Sequence, residues 1–311
     1  MTKQTGEDFS ELVRMSHSVW QWPVPTPTLP PAFVTNTYLI CAEDEALLVD
    51  FGSTDDAQAQ ACIDHLQSLG VKRVIGLVAT HYHRDHTDGL PKLAEKLAVP
   101  IYVQADDLQS VELSMRPDDS VRVLPAPEMF KVGRDLTVEV VHKPGHTHGH
   151  VHLVIPDEAV ILVGDHLAGD GSVWIGPPDG HMQAYYDALA HIASSGCRLA
   201  GPGHGKVLSN AAQAAEVLLQ RRLHREEQIC ATLPEWRTSE EVFAQVYGRT
   251  VTPAATEVAR RTLLAHLQRL VEVGRVDRQF TADQGFQYRV SRTGQNNFQP
   301  DWLGADAQHE Y

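Results

Sequence analysis

The sequence predicts an α/β chain in which helices pack on mixed sheets, followed by a smaller unit of helices and a hairpin. Apolar strand-like runs alternate with helix-spaced segments through residues 32–204. Many neighbouring runs stand close enough to be hairpin partners, which argues against a purely parallel doubly wound sheet. After Gly205 the pattern changes to long helical segments and one terminal hairpin.

Residues 1–30 read as an extended lead-in that ends in the proline-rich stretch Pro23 to Pro31. Tyr38–Cys41 and Ala46–Phe51 then form a hairpin around an acidic turn. Residues 55–69 carry helical spacing, and residues 71–80 read as a buried strand. A histidine-rich turn leads to a helix over 88–98 and a short strand at Ile101–Gln104. Strand pairs are expected near 121–132 and 136–142, and at Val151–Ile155 with Ala159–Val163. This domain is placed at 31–210, with a connecting helix at 211–234 stopped by Pro234. Thr238 and Glu241 form a capping-box pattern. Thr252 and Pro253 open a helix that runs to about Val273. Arg275–Phe280 and Phe286–Val290 close a hairpin. Helix, helix, hairpin over residues 235–292 is a winged-helix pattern, and residues 293–311 read as a loose tail.

The chain has 311 residues, is 42% hydrophobic and carries a formal charge of −14. No apolar run is long enough for a membrane span, and the first residues lack a secretory core, so the expected location is cytoplasmic. Residues 1–204 hold 13 basic and 27 acidic residues, whereas 205–290 hold 12 and 10. The winged-helix segment is therefore nearly neutral, unlike a face built to bind duplex DNA. The four cysteines are scattered and form no C-x-x-C pair, which fits a reducing compartment. The 17 histidines, by contrast, cluster.

The strongest cluster is Thr80-His81-Tyr82-His83-Arg84-Asp85-His86, directly after a predicted strand. Four candidate ligands in six residues are costly to bury unless they coordinate or pair. Similar events follow at Gly145-His146, Gly164-Asp165 and Gly203-His204-Gly205, where an apolar strand delivers a ligand type onto a glycine turn. Imidazole and carboxylate without thiolate favour zinc, with iron or manganese as alternatives. Five histidines and two aspartates exceed one tetrahedral ion and suit two. Two such ions lower the pKa of a bridging water to about 7 from about 16. His142, His148, His150 and His152 read more simply as surface-facing strand residues. Trp174 and His166 are candidates for the substrate pocket wall.

This motif set resembles the metallo-β-lactamase superfamily over roughly residues 32–210. The resemblance implies an αββα sandwich. It implies one ion held by His81, His83 and His146, and a second by Asp85, His86 and His204, with Asp165 bridging. Asp50 would orient ligands from behind, His150 would be a structural partner, and Asp85 would also be catalytic, guiding a proton to the leaving group. Val173–Gly180, the GPGHG turn, the RRLHREEQI helix and the appended winged helix resemble the beta-lactamase-like protein 2 group. That group includes endoribonucleases, and its relatives include thioesterases acting on carrier-bound polyketides. His148 stands where the family carries a proline.

The expected function is a dinuclear metal-dependent hydrolase whose bridging hydroxide attacks a carbonyl centre in an ester, thioester or lactone. The substrate would be a small molecule or a carrier-bound acyl group. Alternatives are an endoribonuclease acting on single-stranded RNA and a mono-iron dioxygenase or glyoxalase-like enzyme. A homodimer is compatible with the sequence, and no membrane partner is expected.

Overall fold

The computed structural model describes residues 11–28, 32–114, 121–125, 128–169, 173–248 and 251–292. The expected loose tail, 293–311, lies outside them. The chain divides into two compact units, Met1–Arg221 and Arg222–Tyr311.

In the first unit, seven strands form one sheet in chain order: β1 (Val13–Arg14), β2 (Val19–Pro25), β3 (Val34–Ala42), β4 (Glu45–Val49), β5 (Arg73–Val78), β6 (Ile101–Gln104) and β7 (Val121–Leu124). The first two strands fall in the segment read as a lead-in. β2 pairs with β3 from Val19 opposite Ile40 to Pro25 opposite Val34. Its prolines are tolerated because β1 reaches only Trp20 and Gln21, so Pro23 and Pro25 lie on an edge stretch. A second sheet holds β8 (Glu128–Val132), β9 (Leu136–His142), β10 (Val151–Ile155), β11 (Val160–Ala168) and β12 (Leu199–His204), in the order β12-β11-β10-β9-β8. The strands expected as one pair near 121–132 are split between the sheets. β7 lies parallel to β6, and β8 lies antiparallel to β9.

The inner faces of the two sheets meet in one apolar core: Tyr38, Ile40, Leu47, Val49 and Val78 from the first sheet, Val138, Val140, Val151, Leu153 and Leu162 from the second. The outer face of the first sheet is covered by α1 (Asp56–Ser68) and α3 (Leu90–Leu97), which bury Ala59, Cys62, Leu66, Leu90 and Leu93. The short α2 (Arg84–Thr87) lies between them in sequence, and α4 (Ala105–Ser114) follows β6. On the second sheet, α5 (Met182–Ser194) packs against β11 and buries Met182, Tyr185, Tyr186, Leu189 and Ile192. The layers are helix, sheet, sheet, helix, as the resemblance implied. Each fully buried Leu, Val or Ile contributes about 1.5–3 kcal/mol relative to exposure, so this double core holds the strand ends in register.

The boundary between units falls inside α6 (Ala211–Ala231). The second unit adds β13 (Arg237–Thr238), α7 (Ser239–Val246), α8 (Thr256–Glu272), β14 (Val276–Thr281) and β15 (Gly285–Val290), with its sheet ordered β13-β15-β14. Both halves of the capping box at Thr238 and Glu241 are present. Ile229, Leu233, Leu263, Leu267 and Leu270 form its core. Beside that core, buried Glu226 pairs with Arg269 at 2.5 Å and with His266 at 3.3 Å. Among the described residues no helix is long and apolar enough to cross a membrane.

Candidate metal centre

All seven proposed ligands come from the ends of strands in the first unit. The end of β5 delivers His81, and the turn beyond it delivers His83. Asp85 and His86 lie on α2, a four-residue helix. The turn between β9 and β10 supplies His146. Asp165 lies near the end of β11, and His204 is the last residue of β12. Two glycines allow the close approach. A side chain on Gly203 would put its Cβ 2.3 Å from Asp165 Oδ1 and 2.7 Å from His86 Cε1. Gly164 has a left-handed φ of +48°, and a Cβ there would lie 2.6 Å from His150 Nε2.

The donor atoms converge in overlapping groups, His81–His83–His146, His81–His86–Asp165 and Asp85–His86–His204, each with its ligand atoms within 4.8 Å of one another. His83 Nδ1 stands 3.1 Å from His81 Nε2 and 2.9 Å from His146 Nε2. Asp165 reaches His86 Nε2 at 3.4 Å, His204 Nε2 at 3.5 Å and His146 Nε2 at 3.5 Å, through its two oxygens. His204 Nε2 is 3.4 Å from Asp85 Oδ2.

The backs of the rings settle which nitrogen faces the centre. His146 Nδ1 lies 2.7 Å from the carbonyl of Trp174, and His204 Nδ1 lies 2.9 Å from that of Val34. A carbonyl only accepts, so both Nδ1 atoms donate and each Nε2 is turned inward. His86 Nδ1 donates to Asp50 Oδ2 at 2.7 Å. The Thr80 hydroxyl donates to Asp50 Oδ2, so its oxygen accepts from His81 Nδ1 at 3.0 Å. Four rings are thus held from behind with Nε2 aimed at a common space, the arrangement that orients imidazole ligands.

The residues fit divalent ions. His86 Nε2 and Asp165 Oδ1 are buried and have no hydrogen-bond partner. Their 3.4 Å separation is long for a charge-assisted hydrogen bond, about 2.7–2.9 Å. It matches the span of two atoms each about 2.1 Å from one ion at a tetrahedral angle.

Electrostatics divides the centre. Burial, reinforced by the neighbouring imidazoles, drives the pKa of His81 well below the usual histidine range and that of His83 down to about 3. Burial also opposes a charge on His86 and His204, but the aspartates outweigh it. Asp50, Asp165 and Asp85 push His86 well up, and Asp165 leads the rise of His204 to about 10. Burial raises Asp165 and Asp85, yet the facing imidazoles prevail and hold both carboxylates well below their ordinary range.

Asp50 lies behind His86, buried, with a left-handed φ of 59°. It accepts from the Thr80 amide and hydroxyl, each at 2.7 Å. His150 is fully buried and accepts from the Asp165 amide at 3.2 Å. Trp174 stands beside the centre, its ring parallel to His83 with centroids 6.3 Å apart. His166 does not face an open surface. It is fully buried, and its Nε2 accepts from the His146 amide at 3.3 Å.

Sequence reasoning missed Asp107. This buried carboxylate accepts from the Tyr82 amide at 3.1 Å, the Thr147 hydroxyl at 2.8 Å and the Gly149 amide at 2.6 Å. It ties together the two loops that carry His81, His83 and His146. Burial nevertheless raises its pKa against these donors. Nothing in the local sequence ADDL marks it. His150 and His152, read as surface strand residues, are both fully buried. β10 has no solvent face, since Val151, Leu153 and Ile155 pack into the inter-sheet core and His152 on the other side meets His191 of α5.

Residues 30–204 match the family model described as the metallo-beta-lactamase superfamily. An atrochrysone carboxyl ACP thioesterase from Aspergillus fumigatus is 29% identical over 69% of this chain and 64% of its own length. A beta-lactamase-like protein 2 homolog from Caenorhabditis elegans is 27% identical over 69% of this chain and 71% of its own. The alignments thus leave about a third of these relatives unmatched. A crystal structure of a beta-lactamase domain protein from Burkholderia ambifaria superposes with a TM-score of 0.78. It covers 93% of this chain and 96% of its own, at 18% identity, and so speaks to the fold.

Proposed function

We propose a function from the premise that this chain belongs to the metallo-beta-lactamase superfamily, whose model matches residues 30–204. The reading is a metal-dependent hydrolase that holds two divalent ions, zinc by preference, and cleaves a carbonyl centre, most specifically an acyl thioester on a carrier. The observation that carries it is the set of inward-facing Nε2 atoms converging on Asp165, with His86 Nε2 and Asp165 Oδ1 left without partners.

In this reading His81, His83 and His146 hold one ion, Asp85, His86 and His204 the other, and Asp165 reaches both. Divalent ions bound there supply an activated water at neutral pH and polarise the attacked oxygen. The chain's own groups do the rest. Asp50 and Thr80 fix the orientation of His81 and His86. Asp85 accepts from the Thr35 hydroxyl at 3.4 Å and faces His204. We assign it the guiding of a proton to the departing thiolate, on the strength of its place beside the centre and of the role that the resemblance implies. Relatives named as ACP thioesterases support the substrate class. The helix–helix–hairpin order and three-stranded sheet of 235–292 support a winged-helix domain joined through the 211–234 helix to a catalytic domain that extends N-terminally of the expected 31–210 to include β1 and β2.

The test is hydrolysis of a carrier-bound acyl thioester and of a labelled single-stranded RNA. The protein is assayed as purified, after chelation, and after zinc is restored. The expected result is thioester cleavage lost with the metal and regained with two zinc ions per chain. RNA cleavage without thioester cleavage would overturn the substrate assignment. Stoichiometric iron in protein grown without added metal would overturn the zinc assignment.

A further inference from the structure

Behind the metal centre lies a second set of imidazoles, His150, His152, His166 and His191. We propose that His191, His152 and His166 form a one-directional chain of neutral imidazoles that holds the His146 backbone and so positions that residue's ring. The inference rests on the reading of His146 as a metal ligand.

The direction follows from one donor that cannot be reversed. The backbone amide of His146 can only donate, and it points at His166 Nε2, 3.3 Å away. His166 Nε2 is therefore unprotonated, and the neutral ring carries its proton on Nδ1. That Nδ1 lies 2.7 Å from His152 Nε2, which must accept. The proton of His152 is then on Nδ1, 3.2 Å from His191 Nδ1. His191 accepts there and keeps its own proton on Nε2. Each ring dictates the tautomer of the next, from half-buried His191 to the backbone of the metal loop. His152 and His166 are fully buried, and each has one ring nitrogen that must accept, so the geometry requires both rings to be neutral. Burial, aided by Lys143, lowers His191 to about 4.

The same cluster is a poor cation site. The ring nitrogens of His150, His152 and His166 come within 4.8 Å of one another, but His150 and His166 stack with centroids 3.9 Å apart and planes at 30°, a face-to-face contact rather than an edge-on approach to one point. The 2.7 Å between His152 Nε2 and His166 Nδ1 is a hydrogen-bond distance. Nor is the chain a proton path to the reaction, because it ends on a backbone amide. What it fixes is position. His146 is gripped at its amide by His166 and at its ring by the Trp174 carbonyl.

The decisive measurement is long-range proton–nitrogen correlation on the full chain labelled with nitrogen-15 histidine, with and without zinc. At neutral pH the expected pattern is Nδ1–H on His152 and His166 and Nε2–H on His191. An Nε2–H tautomer or an imidazolium at His152 or His166 would overturn the chain. So would a third zinc per chain that shifts their resonances. The positioning role is read from zinc transfer to a chelator. His152→Leu removes both the acceptor for His166 and the donor to His191. It should speed loss of the first ion about tenfold, while His152→Gln, which restores an acceptor, should recover most of that. Unchanged release in a folded His152→Leu would overturn the positioning role. If His152→Leu fails to fold, His191→Phe at the outer end serves instead. It should alter the His152 tautomer and quicken release more weakly, and no effect on either would count against the proposal. If the wild-type protein binds no zinc, the ligand reading fails and the positioning role with it. The tautomers still decide the chain.

Discussion

The two halves of the centre lie side by side and are built in opposite ways. His81, His83 and His146 converge as imidazoles. Burial and mutual repulsion keep His81 and His83 uncharged, with His83 lowered to about 3. Asp85, His86, His204 and Asp165 form interlocked ion pairs, with His204 raised to about 10. In the first half the crowded, buried imidazoles resist protonation, whereas in the second half the aspartates favour protonated rings, although His86 Nε2 and Asp165 Oδ1 have no hydrogen-bond partner. The difference teaches that one cluster can combine rings held ready as neutral donors with rings that would have to give up protons to bind a cation.

The sharpest way to break this contrast is to remove the group common to both halves. Asp165→Asn should lower kcat/KM for thioester hydrolysis on the order of a thousandfold, because it removes several kcal/mol of ion-mediated stabilisation. Elemental analysis of the variant should find the second ion lost and the first retained. Loss of neither would show that Asp165 does not hold an ion. A smaller effect should separate the halves. Gly203→Ala pushes a Cβ toward Asp165 Oδ1 and His86 Cε1. It should weaken the second ion by about 10–100-fold and the first, which shares only Asp165, much less, as read by competition with a chelator. Equal weakening of both ions would contradict the division.

The smallest effects lie in pH dependence. Calorimetry in buffers of different ionisation heat should find proton release on binding the second ion between pH 6 and 8. Binding of the first should release almost none, and equal release would remove the contrast. In chelated protein the signs are opposite. His204, raised to about 10, contributes stability that is complete below about pH 6.5 and is lost as pH rises toward 10. His83, lowered to about 3, contributes against stability as pH falls from about 6.5 toward 3, because the unfolded chain then binds the extra proton. Thermal melts should lose part of the alkaline limb in His204→Asn and part of the acid limb in His83→Asn.

The centre was largely legible because its residues break the rules of their surroundings. Four ligand types directly after an apolar strand, and lone His or Asp residues on glycine turns, are not what a polar surface or an apolar core produces. The layered fold was legible from the same strand runs. Sheet membership was not. Val121–Leu124 and Glu128–Val132 look like neighbours, yet each pairs with a different sheet, because alternation reports burial and not partner. β2 was hidden by prolines that are tolerated because β1 does not extend alongside them and leaves that edge open. Asp107 left no trace because its partners are two amides and a hydroxyl, which any sequence can supply. His152 and His191 were unreadable for a related reason. Their pairing joins a strand to a helix across 39 positions, and no local pattern encodes it.

One strand, β11, has a further consequence. Val160, Ile161, Leu162 and Val163 are buried at its start, and Asp165 follows two residues later. The segment that lines the hydrophobic interior and the segment that would clasp the cations are the same strand. Cargo loading and global melting are then thermodynamically inseparable, with unfolding free energy growing by RT ln(1 + [L]/Kd). With divalent ions held there, the midpoint of heat denaturation would become a gauge of how much free metal surrounds the molecule.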